Sequence, residues 1–290
     1  MTPVISAVVA TYNAPDLLLK TLVSLRDQQF DRNCYEVIAI DDGSTDHTTQ
    51  LLQEFCAPLE HFHWITQKNK GPAAARNAAI RQARGKYVAI TDHDCIVDPG
   101  WLSTICAIFD NCPEILGIEG KTTSHPDQIT PFTHQVINLT GGMFATCNVA
   151  YRKNVLDQLK GFDEDFPYGH EDTDLSLRVR AIGTIRFSPN VVVIHPPIPI
   201  SFKKLVRQSA HWRNEFILYK KQRRWYLQYH RGPLYTVLVD LCVKLFFQLL
   251  KSNSRFLFRS PLIYLKFSLA ILLQRLYFLT LLPGYLARYS

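Results

Sequence analysis

Two aspartates one residue apart, Asp92 and Asp94, follow the short apolar run 86–91. Carboxylates projecting from the end of a buried strand toward one point suit a divalent cation with hydrated oxygen ligands, and such a cation can bridge phosphate oxygens. The spacing alone also fits any exposed acidic loop; its place after a strand is what favours the metal. A second acidic run, Gly169-His170-Glu171-Asp172-Thr173-Asp174, falls just before or within the first turn of a helix expected over 172–181. The helix dipole favours negative charge there, so the acids can be capping residues. Three carboxylates behind a glycine exceed what a cap needs, and one fixed in that position can serve as general base toward a hydroxyl nucleophile. His195 ends the apolar run 191–194. It reads either as a packing residue or as a third metal ligand, the latter only if its strand returns beside Asp94.

Further groups sit at strand ends. Asp41-Asp42-Gly43-Ser44 closes the run 35–40, where an acid can accept hydrogen bonds from a ribose hydroxyl or a base N–H. For Asp42, Gly43 and Ser44 an Asx turn feeding a helix cap is an equal reading, so Asp41 is the better binding candidate. Tyr12 offers a ring for stacking on a base, or simply half-buried packing. Asn69-Lys70-Gly71-Pro72 with Arg76-Asn77 supplies a helix start and a guanidinium one turn further in, an anion site or else an exposed arginine on an amphipathic helix. No GxGxxG follows the first strand and no GxxxxGK[ST] occurs, which argues against a dinucleotide oxidoreductase and a P-loop NTPase.

The elements that must position these groups follow from hydrophobic pattern. Strands are expected over 4–10, 35–40, 62–66 and 86–91, with helices over 16–29, 48–55 and 72–84 between them. Strand and helix alternating at this spacing imply βαβ crossovers and a mainly parallel sheet, whose ligands bind at the carboxyl ends of the strands. After residue 100 the alternation weakens, and a mixed second half of the same domain is expected. Pro196, Pro197 and Pro199 close the last strand and set a domain boundary near residue 200. Residues 201–290 carry 16 Lys/Arg and two Asp/Glu, net +14, whereas residues 1–200 are net −7, so the two parts have different tasks. The 290 residues, with 47% apolar and 20% charged, exclude a disordered or fibrous chain. Seven widely spaced cysteines without a CxxC indicate neither a disulfide framework nor a thiolate zinc site, and a reducing compartment fits them. The amino terminus reads as a strand and not as an export signal.

The ordered set Val9-Ala10-Thr11-Tyr12-Asn13, Asp41-Asp42-Gly43-Ser44-Thr45-Asp46, Asn69-Lys70-Gly71 through Arg76-Asn77, Asp92-His93-Asp94 and Gly169-His170-Glu171-Asp172 resembles the family 2 glycosyltransferases of the GT-A fold, over about residues 3–200. That resemblance implies an α/β, Rossmann-like GT-A domain (1–200) with a mostly parallel central sheet. It implies that Thr11, Tyr12, Asn13, Asp41 and Asp42 lie at the nucleoside of a nucleotide-sugar, with Arg76 near the diphosphate. Asp94, Asp92 and His195 would hold Mg²⁺ or Mn²⁺. Thr146 and Asn148, with Arg152, would lie near the donor sugar and acceptor, and Asp172 would be the base with Glu171 beside it. The implied reaction is an inverting transfer to a hydroxyl on a glycan or lipid-linked glycan, in cell-surface polysaccharide or glycolipid synthesis. The alternatives are transfer to a polyprenyl phosphate, or a non-catalytic nucleotide-sugar-binding scaffold at a membrane. Processive members often carry QxxRW; here Gln208-Ser209-Ala210-His211-Trp212 has His in the Arg position and Gln222-Arg223-Arg224-Trp225 is one residue short, so transfer of one or a few sugars is expected.

In the basic tail (201–290), Thr236, Asp240, Lys244 and Gln248 recur four apart along an apolar helix expected over 235–250, and a second apolar stretch, 261–282, is interrupted by Lys266 and Gln274-Arg275. Neither offers 18 uncharged apolar residues, so helices lying in the interface of an anionic bilayer, on its cytoplasmic face, are expected ahead of a transmembrane span; packing on the catalytic domain or a second copy is the other reading. Nucleic acid is not an expected partner, because leucine-rich stripes follow the basic run 223–231 where groove-lining residues would be needed.

Overall fold

The computed structural model describes residues 2–289. Strand β1 (Ile5–Thr11) is followed by α1 (Pro15–Arg26), β2 (Tyr35–Asp41), α2 (Thr48–Cys56), β3 (Phe62–Thr66), α3 (Pro72–Gln82) and β4 (Tyr87–Asp92). β1 pairs in parallel with both β2 and β4, and β2 with β3, as right-sized crossover helices require. These strands are apolar at nearly every position because both faces are covered. Ile5, Ala7, Val9, Tyr35, Val37, Ala39, Tyr87 and Ala89 point to one core, with Leu18, Leu22 and Leu25 of α1. Val8, Ile38, Ile40, Val88 and Ile90 point to the other, where Ala73, Ala75, Ala79 and Ile80 of α3 pack. The small side chains of α3 bring its backbone close to the sheet, and Arg76 and Asn77 are buried with it.

The second half is regular where the sequence pattern looked weak. β5 (Ile96–Val97), α4 (Trp101–Asn111), β6 (Ile115–Thr123), β7 (Thr133–His134), β8 (Val149–Arg152), α5 (Lys153–Leu159), α6 (Glu171–Arg180) and β9 (Thr184–Ile194) follow. The helix α4 and strand β6 went unseen because Gly117, Glu119, Gly120 and Lys121 break the apolar run of β6. Gly120 is required by close approach: a Cβ there would lie 2.3 Å from Asn148 Nδ2 and 2.4 Å from the Val191 carbonyl. Among the described residues one sheet has the order β3-β2-β1-β4-β8-β6-β9-β5, parallel except at β4–β8, β8–β6 and β9–β5. The pairing Ile96↔Ile194 brings the turn after β4 beside the end of β9.

The chain divides into two compact units, one comprising the residues up to Ser124 together with Gln135–Pro196, the other His125–His134 together with the chain from Pro197 onward. In the second unit β10 (Ile198–Pro199) pairs with β7. Helices α7 (Phe202–Arg207), α8 (Asn214–Lys221), α9 (Arg223–Tyr229), α10 (Pro233–Tyr235), α11 (Leu245–Ser252), α12 (Arg255–Arg259) and α13 (Pro261–Tyr289) follow, with a π-helical stretch, Thr236–Lys244, joining α10 to α11. Ser201 caps α7 by accepting the Lys204 N–H. Two stretches, Pro233–Ser252 and Pro261–Arg288, are long and apolar enough to cross a membrane, which makes this tail a candidate for membrane association.

Asn77 fixes the approach to α6. Its Oδ1 accepts the Phe162 N–H at 2.8 Å, and its Nδ2 donates to the Phe162 carbonyl and to Glu164 Oε1, both at 2.9 Å. Asn77→Ala leaves both Phe162 groups unpaired in a buried site and is expected to lower stability by about 1–3 kcal/mol. Urea unfolding of the two proteins measures this, and an unchanged midpoint would remove Asn77 as the anchor of that segment.

Candidate active site

The register of the sheet places the carboxyl ends of three strands in one row: Thr11 pairs with Asp41, and Ala10 with Asp92. At this edge Asn13 adopts φ +49° and accepts the Thr45 N–H at 2.8 Å, while its own N–H donates to Ser44 Oγ at 2.9 Å. Two strand-end loops are thereby fastened to each other. Asp41 is fully buried; its Oδ1 accepts the Ser44 N–H at 2.9 Å and its Oδ2 accepts from Thr49 Oγ1. Asp42 accepts from Gln67 Nε2 at 2.7 Å, Lys70 N at 3.0 Å and Gly71 N at 2.8 Å. The carboxylate of Asp42 therefore holds the loop entering α3, and the local turn expected of it falls to Asp41, which takes the Ser44 N–H. Tyr12 leaves 46% of its surface open beside these groups.

Arg76 departs from both sequence readings. It is neither exposed on α3 nor turned to a phosphate: its guanidinium is buried between two acids, Nη2 at 2.7 Å from Asp92 Oδ1 and Nη1 at 2.8 Å from Glu171 Oε1. These two carboxylates raise its pKa against the opposing effect of burial. Burial opposes ionisation of Asp92, and the Arg76 charge more than offsets it, holding that carboxyl below its usual range. One oxygen of Asp92, expected as a metal ligand, is thus engaged by Arg76. The cation-sized cluster consists of Asp94, Cys95 and His195, whose donor atoms lie within 4.8 Å of one another. His195 is buried, with Nε2 3.7 Å from Asp94 Oδ2 and Nδ1 3.1 Å from the Pro196 carbonyl. A ring that donates from Nδ1 to a carbonyl presents the Nε2 lone pair toward Asp94, the tautomer a metal-ligating histidine needs. An imidazole and a carboxylate together suit a cation of the Mn²⁺ type, so this donor set fits. Cys95 was not anticipated, and its thiol is raised well above its ordinary pKa by the neighbouring Cys147 and by burial.

The third component is the start of α6. Gly169 (φ +83°) and His170 (φ +71°) both occupy the left-handed region, a strained entry that turns Glu171 inward. Glu171 meets Arg76, and Asp172 accepts the Thr173 N–H at 2.7 Å. Burial first, and the adjacent Glu171 second, push the Asp172 carboxyl up to about 6. Tyr168, which sequence reasoning passed over, leaves 57% of its surface open while its hydroxyl end is crowded among Asp92, Asp94 and Glu171; loss of water there, then those charges, raise the phenol pKa. The run Pro167-Tyr168-Gly169 ahead of the acids was the available signal. Among the described residues, Thr11 Oγ1, Arg76 Nε and Glu171 Oε2 are buried without a hydrogen-bond partner, which gathers polar capacity at this one edge.

Asn148 and Arg152 have structural work instead. Asn148 is buried and fully engaged: Oδ1 accepts from Trp101 Nε1 at 2.9 Å, and Nδ2 donates to the Lys121 and Val191 carbonyls at 3.0 Å. Arg152 pairs with Tyr87, at the opposite end of β4 from Asp92 and roughly 16 Å away along the strand. There it donates to the Ile115, Phe109 and Cys112 carbonyls. Thr146 is buried in the turn before β8. A cleft of about 630 Å³ lined by Arg32, Tyr35, Glu36, His61 and Arg84 opens at the amino ends of the strands, away from all of these acids.

A doubly covered sheet with an acidic edge at its strand ends, a carboxylate–histidine pair and a second acidic helix start is the arrangement of a GT-A fold. Residues 6–160 match the profile described as glycosyl transferase family 2, and the chain belongs to that family. It is 34% identical to EpsH of Bacillus subtilis over 122 residues, 42% of this chain and 32% of EpsH. It is 24% identical to glycosyltransferase AglE of Haloferax volcanii over 218 residues, 71% of each. The chain thus spans about a third of EpsH. Among solved structures, the mannosyltransferase PcManGT of Pyrobaculum calidifontis, in complex with GDP-Man and Mn²⁺, superposes with a TM-score of 0.63 at 20% identity, covering 96% of this chain and 88% of that one, which shows the fold.

The raised Asp172 carboxyl has a definite consequence for stability. Its pKa is about 6 in the folded protein against 3.8 ordinarily, so the protonated form is favoured on folding; that contribution is full below the unfolded value and is lost as pH rises through about 6. Asp172→Asn is therefore expected to melt a few degrees higher than wild type above about pH 7, with the gap closing as pH falls below about 5. Melting curves across this range check it, and a gap that widens toward acid would contradict the assignment.

Proposed function

We propose that this chain is an inverting glycosyltransferase that moves a sugar from a nucleotide-diphospho-sugar to a hydroxyl of a glycan or lipid-linked glycan. The observation that carries the reading is the joining of the strand-end Asp92 to Glu171, the residue next to Asp172, through Arg76. Thr11 and the open face of Tyr12 bind the nucleoside. Asn13, Asp41 and Asp42 hold the loops around it. Asp94 and His195 would hold a divalent cation, Mg²⁺ or Mn²⁺, whose charge offsets that of the departing diphosphate.

Asp172 accepts the proton of the acceptor hydroxyl as that oxygen attacks the anomeric carbon. The bond from this carbon to the phosphate oxygen breaks, its electron pair leaves with the nucleoside diphosphate, and attack from the opposite face inverts the configuration. A carboxylate with a pKa near 6 takes up a proton more readily than an ordinary aspartate at neutral pH. Arg76 fixes Glu171, and so the start of α6, relative to Asp92. The two apolar stretches and the charge of the tail favour residence at the cytoplasmic face of a membrane and an acceptor carried by lipid.

Thermal stabilisation by UDP-, GDP- and dTDP-sugars, each with Mn²⁺ or EDTA, tests this reading. One nucleotide-sugar is expected to raise the melting temperature of the wild type with metal only, and Asp94→Asn is expected to abolish the rise. Asp172→Asn is expected to keep that rise while donor turnover falls by about 10²–10⁴-fold. Stabilisation by no donor under any condition would overturn the nucleotide-sugar reading, and wild-type turnover in Asp172→Asn would remove Asp172 as the base.

A further inference from the structure

Helix α13 is built inside out for a helix in water. Its covered side holds Phe267, Ala270, Ile271, Gln274, Arg275 and Phe278, all buried within the second unit. Its open side presents Leu262, Leu265, Leu269, Leu272, Leu276 and Leu279, with 46–80% of each residue's surface exposed. The leucines recur at alternating spacings of three and four, so they form a single row about 26 Å long. A helix on a water-soluble domain turns its polar groups outward and its leucines inward. Here Gln274 Nε2 donates to the Leu205 carbonyl at 2.9 Å, Ser209 Oγ donates to the Gln274 carbonyl at 2.9 Å, and Arg275 donates to Gln274 Oε1 and to the Leu241 carbonyl. The Arg275 guanidinium also lies 5.5 Å from the rings of both Trp212 and Phe246. Apart from Arg275 Nε, the inward polar groups are bonded by protein while hydrocarbon faces outward, the arrangement that a lipid environment demands.

We propose that this leucine row is seated in the acyl region of an anionic bilayer, with α13 lying along the membrane plane and not across it. The proposal deepens the membrane placement of the tail given above and is independent of sugar transfer. Charge complementarity supplies the occupant: residues 201–290 are net +14. Elsewhere in the same unit Phe258 and Phe247 are also open, 87% and 63% exposed, so apolar exposure is not confined to the single seam that a second copy would need. Orientation follows from the cations. Lys266 is exposed between Leu265 and Leu269, and its ammonium must reach water, which is available to a helix lying at the interface. A pair of spanning helices would also carry Lys251, Arg255 and Arg259 across in the connecting segment, against the usual distribution of basic residues.

Flotation of the full-length chain with vesicles of phosphatidylcholine, alone or mixed with phosphatidylglycerol, tests the proposal. The wild type is expected to float with the mixed vesicles and to be released by alkaline carbonate. The double variant Leu265→Glu/Leu272→Glu is expected to lose roughly tenfold or more in bound fraction, and Leu265→Ala/Leu272→Ala a smaller part of it. Neither changes a buried residue, so unchanged circular-dichroism melting shows that the fold is kept, and nucleotide-sugar stabilisation without vesicles scores the donor reading separately. Flotation of the glutamate variant at the wild-type level would overturn the proposal. So would resistance of the wild type to carbonate, which marks a spanning helix, or a vesicle-free dimer that the glutamate variant disperses, which marks a second copy as the occupant.

Discussion

The site depends on one buried guanidinium. Arg76 lies between Asp92, at the end of β4, and Glu171, at the first turn of α6, 16 and 95 residues away along the chain. Removing a charge from water costs several kcal/mol unless a partner compensates, and two carboxylates at hydrogen-bond distance compensate this one. The same bonds fix the spatial relation of three elements, because α3 carries the arginine and the sheet and α6 carry the acids. The arrangement also divides the two adjacent acids of α6. Glu171 has Arg76 as its counter-ion, whereas Asp172 takes a bond from Thr173, a neutral donor, and sits beside the charge of Glu171. Burial first, and the charge of Glu171 second, raise the proton affinity of Asp172, while Arg76 partly opposes them.

A similar economy governs the strand-end loops. Asn13, Asp41 and Asp42 spend most of their hydrogen-bonding capacity on backbone N–H groups of neighbouring loops. Such loops carry polar main-chain groups that helices and strands have no use for, and side-chain acceptors at strand ends satisfy them. The acidic edge is therefore first a device for holding loops in register.

Legibility in the sequence followed chain distance. The parallel half of the sheet could be read because each strand is a continuous apolar run and each crossover helix is local. The acids at strand ends could be read for the same reason, since the end of a strand is visible in one stretch of chain. What an acid pairs with could not. Arg76 looked like a phosphate ligand because its partner Glu171 is remote in sequence, and Asn148 looked like a donor contact because Trp101 and Val191, which consume its amide, lie 47 and 43 residues away. Arg152 was misplaced by direction alone: the antiparallel course of β8 carries it to the far end of the sheet. Strand β6 was hidden by Gly117 and Gly120, whose reasons, the close approach of Tyr151 to the first and of the Asn148 side chain and the Val191 carbonyl to the second, are themselves tertiary contacts.

The second unit shows why hydrophobic period must be read together with what lies on each face. Gln274 and Arg275 appeared in the sequence as an interruption of an apolar stretch, which argued for helices at an interface. In the structure they interrupt nothing, because they belong to the face that packs inward, where carbonyls and aromatic rings receive them. The uninterrupted leucines belong to the opposite face. A helix with this polarity gains little from water, since the hydrophobic effect would draw the leucine row inward and leave the arginine out. Its stability in the observed orientation rises with any medium that removes the leucines from water while leaving the inward polar bonds intact. The pattern of one helix thus bears on the medium at its outer side as well as on the neighbours at its inner one.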